Sequence, residues 1–161
     1  MRELLPVSAC LVLPAYTVRP AQPMDVPFLY ACYKRAMHKY IEQTWRWDEE
    51  FQSEAFRQHL PWQRFRVIMV DGTPVGAACL LETRDQMVLE MMMIEPEFQR
   101  RRIGSDFVTK LLDHARSEGR GLKLRVMKIN PARAMYERLG FVVIGEDVDT
   151  YEMQAAIASQ H

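Results

Sequence analysis

Two kinds of chemistry are written into this chain, anion binding and proton transfer, and the first is carried by one short stretch. Gln99-Arg100-Arg101-Arg102-Ile103-Gly104-Ser105 follows an apolar run, Met91-Met92-Met93-Ile94, and precedes an amphipathic segment from Phe107 to Ala115. That order predicts a strand, a tight basic loop and the start of a helix. The first turn of a helix has N–H groups with no internal partner, and the helix dipole adds partial positive charge there. A phosphate is therefore stabilised by the backbone alone. Gly104 lets the backbone approach closely, and three successive arginines raise the local positive potential. A small molecule carrying a pyrophosphate suits such a place. The loop alone also fits a nucleotide- or phosphate-binding enzyme of another fold, but the chain has no Gly-x-x-x-x-Gly-Lys pattern.

A second block lies downstream: Asn130-Pro131-Ala132-Arg133-Ala134-Met135-Tyr136-Glu137-Arg138-Leu139-Gly140-Phe141. Together the two stretches resemble the GCN5-related N-acetyltransferases. Gln99 and Gly104 match that family's Gln-x-x-Gly-x-Gly/Ala coenzyme A loop, whereas Arg102 stands where the family usually has its first glycine. The downstream block is similar to the family's Asn-x-x-Ala-x-x-x-Tyr-x-x-x-Gly-Phe element. The resemblance spans roughly Tyr16 to Met153. It implies an N-terminal extension over residues 1–15 and an N-acetyltransferase domain over 16–161. It implies an α+β fold: a mixed, mostly antiparallel sheet with helices on both faces and a splayed parallel pair of central strands. Acetyl-CoA is the implied co-substrate, with no metal, entering the gap between those strands.

The resemblance also assigns roles. Gln99, Arg100, Arg101, Arg102, Ile103, Gly104 and Ser105 would form the pyrophosphate loop. The backbone of Met92, Met93 and Ile94 would meet the pantetheine arm, because splayed strands leave N–H and C=O groups unpaired. Asn130, Ala134 and Tyr136 would complete the cofactor contacts, although Asn130 also suits a plain turn before Pro131. An arginine at position 102 is tolerable at a helical φ but not cheaply at a positive one.

Acetyl transfer to an amine needs the thioester held beside the nucleophile, a neutral amine and a proton for the leaving thiolate. Tyr136 occupies the place of the family's general acid. A phenol of pKa ~10 stays protonated at neutral pH and can donate to a thiolate whose conjugate acid is near ~8.5. The alternative is a core tyrosine packing a short helix. Glu90 is the one acid within the apolar run Met87–Ile94, and burial would raise its pKa toward a range useful for a base. Equally, alternation can place it on a wet face or beside an arginine. A non-catalytic acyl-CoA sensor on the same fold is the competing reading of the whole chain.

For the acceptor, the segment His38 to Phe51 mixes aromatics with acids. Trp45 and Trp47, with Tyr40, can wall a pocket, and Glu42, Asp48 or Glu49 can attract a cationic amine. The same residues suit a helix-loop-helix surface with two half-buried tryptophans. The resemblance places the first two helices beside the acceptor site. The acceptor itself, a small-molecule or peptide amine, is not identified.

These groups need a scaffold. Tyr16–Arg19 reads as a first strand. Asp25 is the expected N-cap of a helix that ends near Thr44, and Asp48 of a second through His59. Phe65–Val70 and Val75–Thr83 read as strands around an Asp-Gly turn, followed by the apolar strand Met87–Ile94, which fits a central position. A helix from the basic loop ends at Gly119, suited to a left-handed cap. Leu122–Ile129 alternates with lysine and arginine; Pro131–Leu139 is a short helix; Phe141–Ile144 and Thr150–Gln154 close the sheet.

The 161 residues are enough for one domain with a sizeable core. Lysine plus arginine equals aspartate plus glutamate, giving a formal net charge of zero, which argues against a dedicated nucleic-acid partner. Cys10, Cys32 and Cys79, like the four histidines, lack metal-ligand spacing. No run approaches a ~20-residue membrane span. Val7-Ser8-Ala9-Cys10 resembles an export cleavage box, but the apolar stretch before it is broken by Pro6. The expected compartment is the cytoplasm, and exposed edge strands admit a homodimer.

Overall fold

The apolar strand expected at Met87–Ile94 lies at the centre of the sheet and organises everything around it. The computed structural model describes residues 15–155; Cys10, the cleavage-box resemblance and nearly all of the expected N-terminal extension lie outside them. Seven strands form one sheet: β1 (Thr17–Pro20), β2 (Phe65–Val70), β3 (Thr73–Glu82), β4 (Gln86–Ile94), β5 (Gly121–Met127), β6 (Phe141–Glu146) and β7 (Thr150–Ala155). Their order is β1-β2-β3-β4-β5-β7-β6, antiparallel except for the β4–β5 pair.

Four α-helices cover the two faces: α1 (Val26–Trp45), α2 (Glu49–His59), α3 (Ile103–Ser117) and α4 (Ala132–Arg138). Leu29, Cys32, Tyr33, Ala36 and Ile41 recur at helical spacing on α1 and pack, with Phe56 of α2, on Phe65, Val67, Ala77, Cys79 and Met93. Ile103, Phe107, Val108, Leu111, Leu112 and Ala115 of α3 cover the opposite face with Tyr136 of α4, over Ile68, Ala78, Leu80, Met87, Leu89 and Leu122. The expected fold class is the one observed.

Two local features shape the centre of the sheet. Leu80 pairs with Leu89 and Cys79 with Met91, so Glu90 is an extra, unpaired residue, a β-bulge in β4. The bulge inverts the alternation. Met87 and Leu89 face α3, whereas Met91 and Met93 face α1. The second feature is the splay. Pairing between β4 and β5 stops at Leu89–Leu124; beyond it β4 stays with β3 and β5 with β7. The wedge between them is where main-chain polar groups face open space.

The helix ends follow their local chemistry. Asp48 caps α2 by accepting from the Phe51 N–H at 2.9 Å. Gly119 has φ +70°, and the N–H groups of Gly119 and Arg120 bond back to Arg116 and Ala115, the expected left-handed stop. Asp25 differs from expectation. Its side chain does not cap α1; it accepts from the Gln22 N–H and takes a bidentate pair from Arg19, both at 2.8 Å, because a 3-10 turn over Pro23–Asp25 precedes the helix. That pairing holds its carboxyl below the usual range. The strand Leu122–Ile129 stops earlier than expected, at Met127, leaving Ile129 exposed. No helix among the described residues is long and apolar enough to cross a membrane.

Candidate active site

The wedge between β4 and β5 opens into two adjoining cavities. The larger, about 560 Å³, lies between the ends of β4 and α1, the basic loop and α4. The smaller, about 220 Å³, lies deeper along the splayed strands, roofed by α1. Met37, Met92, Asn130 and Tyr136 line both.

The larger cavity is built for an anion. Lys39, Arg100, Arg102 and Arg138 line it, with no carboxylate, although the chain as a whole is neutral. No described carboxylate lies within ion-pair distance of these four cations, while most other lysines and arginines are paired. The loop backbone accounts for the rest. Arg102 occupies the N-cap position of α3 at φ +67°, and Arg100 has φ +64°. Of the two conformations open to position 102, the chain adopts the costly positive one. Gly104 and Ser105 bring the first turn of α3 to the cavity wall, and the left-handed turn before it explains why glycine is the easy residue at position 102. Gly104 is open for a different reason. A Cβ there would meet only the Met92 methyl, at 3.6 Å. The protein's own packing does not require glycine, so the space it leaves belongs to the cavity. Four unpaired cations, free helix N–H groups and this open cradle fit a phosphorylated ligand such as coenzyme A.

Not every residue of the loop faces the cavity. Gln99, Arg100, Arg102, Gly104 and Ser105 line it; Arg101 and Ile103 do not. The Arg101 guanidinium lies over the Phe98 ring at 4.7 Å, and Ile103 is buried in the α3 core. Gln99 donates from Nε2 to the Ile94 carbonyl at 2.8 Å, tying the loop to the end of β4. Arg35 clamps the same end from α1, donating from Nε and Nη2 to the buried Glu95 at 2.8 and 2.6 Å. Met92, Met93 and Ile94 all line the cavity, as does Asn130, whose Oδ1 accepts from the Ala132 N–H at 2.8 Å and opens α4. This use as a turn leaves its amide N–H₂ for a ligand. Ala134 points away; Ala132, Met135, Tyr136 and Arg138 are the α4 residues on the cavity side.

Tyr136 is buried, edge-on to Phe141 at 5.7 Å. Its hydroxyl has no hydrogen-bond partner among the described residues, and burial pushes the phenol pKa up to about 12. Glu90 lines the smaller cavity from the bulge, with Oε1 at 3.0 Å from Arg64 Nε; that N–H is not aligned as a hydrogen bond. The Cys79 thiol donates to the same oxygen at 3.6 Å. Burial, reinforced by Glu90, pushes that thiol up to about 12. Cys32 is likewise pushed up to about 12 by burial.

The four acceptor candidates divide. Tyr40 lines the larger cavity and Trp45 the smaller. Glu42 and Trp47 line neither: Glu42 accepts from the Trp47 N–H at 2.8 Å, and the Trp47 ring stacks on His38 and donates to Glu49. Met37, Lys39, Arg138 and Arg125 are cavity residues that sequence reasoning did not single out. Spacing alone offered a signal for one of them: Met37 lies one turn before Tyr40 on α1. No group of His, Cys, Asp and Glu among the described residues is arranged to hold a metal.

Comparison with known proteins places this geometry. Residues 29–141 match the acetyltransferase (GNAT) family. Among curated proteins, no sequence relative was found. Solved structures share the fold at low identity. The PaiA N-acetyltransferase from Thermoplasma acidophilum, solved with coenzyme A, superposes with a TM-score of 0.71 at 17% identity, covering 88% of this chain and 99% of that one. The ribosomal-protein-S18-alanine N-acetyltransferase from Escherichia coli gives 0.68 at 21%, covering 91% and 97%. A spermidine N-acetyltransferase chimera from Vibrio cholerae gives 0.62 at 22%, covering 87% and 94%. The family match covers most of the chain, from the first helix to the strand after α4, and with it the chain belongs to the GNAT family of acetyltransferases, as an acetyl-CoA-dependent acyltransferase.

Proposed function

We propose that this chain transfers the acetyl group of acetyl-CoA to a primary amine by direct attack, with Tyr136 protonating the departing thiolate. The observation that carries this reading is the place of Tyr136, on the wall shared by a cationic cavity and a mostly apolar one. Phosphates held by Arg100, Arg102, Arg138 and the start of α3 would direct the thioester toward that shared wall. An amine in the smaller cavity would meet it there.

The steps balance without further reagents. The amine nitrogen attacks the thioester carbonyl carbon, the new C–N bond forms and the C–S bond breaks. Tyr136 gives its proton to the sulfur, and the nitrogen loses one. Glu90 is the one carboxylate lining the smaller cavity, and in this reading it takes the amine's proton directly or through water. The raised phenol pKa keeps the group protonated across the neutral and mildly alkaline range, but it also makes the phenol a weaker acid, so the donor role rests on the place of the hydroxyl and not on its pKa. The raised thiol pKa values of Cys79 and Cys32 support direct attack over an acyl-cysteine, since the thiolate is the nucleophile. Both are free thiols, as a reducing compartment such as the cytoplasm would keep them.

The test is release of coenzyme A thiol over a broad amine panel, with calorimetric binding of acetyl-CoA run alongside. Release with one amine class, slowed in Tyr136→Phe while acetyl-CoA still binds, is the expected result. Undiminished turnover in Tyr136→Phe would remove the acid assignment. Binding with no release over the whole panel would favour a non-catalytic acyl-CoA sensor.

A further inference from the structure

The acceptor cavity carries more information than its family membership does, because two of the enzymes compared above, sharing one fold, are named for a ribosomal protein's alanine and for spermidine. Tyr33, Met37, Ile41, Met91, Val126 and Met127 contribute to a wall that is mostly apolar. At about 220 Å³ it is smaller than the roughly 300–1,000 Å³ clefts that take drug-sized ligands. Its charged groups do not present a free anion. Glu90 faces Arg64. Arg125, the one cation on the wall, donates to Thr150 at 3.0 Å and pairs with Asp147 at 3.6 Å. In the neighbouring α1–α2 segment Glu49 is ion-paired with Lys34 and bonded by Tyr30 and Trp47, while Glu42 and Asp48 accept from the Trp47 and Phe51 N–H groups.

One contact spans the edge of this cavity, between Trp45 and the neighbour of Thr150; Trp45 and Thr150 both line it. The Trp45 indole N–H donates to Asp149 Oδ2 at 2.8 Å, joining the end of α1 to the turn between β6 and β7 across the cavity that Trp45 itself lines. A polycation would find no unpaired carboxylate on the wall.

We infer that the acceptor is a compact monoamine with an apolar body, aromatic or branched aliphatic, and that the Trp45–Asp149 bridge is the roof that excludes peptides and polyamines. The inference rests on the transferase reading above and deepens it. The apolar body takes the methionine and aromatic wall, leaving the nitrogen toward Tyr136 and Glu90. Binding of a second positive charge would cost desolvation with no compensating partner. Trp45 is half exposed, so replacing it opens this edge of the cavity without emptying the core.

The experiment is thiol release from acetyl-CoA with three acceptor sets: apolar monoamines (2-phenylethylamine and isoamylamine), spermidine, and a short peptide with a free N-terminal alanine. The kcat/KM for the best apolar monoamine should exceed those for spermidine and the peptide by about tenfold or more. Trp45→Ala and, from the other side of the bridge, Asp149→Ala should each narrow that ratio by raising the peptide rate, with acetyl-CoA affinity unchanged. Faster turnover of spermidine or the peptide by the wild type overturns the acceptor assignment and leaves the transferase reading standing. Ratios unmoved in both variants overturn the role of the roof. No release with any of the three sets overturns the assignment, and extension to the broad amine panel then decides whether the transferase reading falls with it.

Discussion

The two cavities meeting at Tyr136 are made in opposite ways. The larger draws its character from one contiguous loop, residues 99–105, with Arg138 and Lys39 added from two helices. In the proposed reading its ligand is recognised through charge and main-chain N–H groups. The smaller is assembled from single residues of α1, β4, β5 and β7, and in the same reading recognises its ligand through apolar surface under the Trp45–Asp149 bond. The contrast teaches what each side is free to change. A loop that holds phosphates must keep its backbone path, whatever side chains it carries. A slot built from scattered side chains can be re-cut one residue at a time, which is how one fold serves unlike acceptors.

The contrast can be broken most severely at the shared wall. Tyr136→Phe should lower kcat by about 10²–10⁴-fold, the usual worth of a positioned acid, with acetyl-CoA affinity little changed; steady-state kinetics and calorimetry separate the two. On the cationic side, Arg100→Ala or Arg138→Ala should each weaken coenzyme A binding about tenfold or more, at roughly 1.5–3 kcal/mol for a hydrogen bond to a charged group. The salt dependence of binding should fall with the lost cation, and the amine KM should stay put. A rise in amine KM instead would mean that the two cavities do not divide the substrates.

The pH profile sharpens the same boundary. Tyr136 must be protonated to donate, and burial raises its pKa to about 12. Its loss of function therefore comes as pH rises through the raised value, and no alkaline fall-off should appear near the ordinary ~10 of a tyrosine. A fall in kcat centred near pH 10 that is absent from Tyr136→Phe would show an unshifted phenol. The smallest effect belongs to the loop backbone. Arg102→Gly should relieve the strain of φ +67°, offset in part by greater freedom of the unfolded chain. The net gain should be below about 1 kcal/mol, read as a melting point higher by a few degrees at most, while coenzyme A binding weakens through the lost guanidinium.

The same contrast explains what was legible in the sequence. The loop and the block around Tyr136 are contiguous, so their residue types and spacing announced a strand-loop-helix and a short capped helix. Periodicity located α1, α3 and every strand to within a few residues. Arg102 could be flagged as a departure but not read as left-handed, because φ is set by the path the loop must take to aim α3. Glu90 stood out as an acid in an apolar strand, yet neither the bulge that displaces it nor its partner Arg64, on the far side of the sequence, leaves a local pattern. Arg125 and the Trp45–Asp149 bridge are products of tertiary packing, and the bridge spans more than a hundred residues of chain. Nothing in the spacing of α1 separates Tyr40, on the cofactor side, from Trp45, on the acceptor side.

Direct transfer requires that both substrates be held at once and meet at Tyr136. Initial velocities of thiol release over a grid of acetyl-CoA and amine concentrations test it most directly. Intersecting double-reciprocal lines are expected, as for a complex that holds both. Parallel lines, with an acetyl group recovered on the chain before the amine is added, would contradict it.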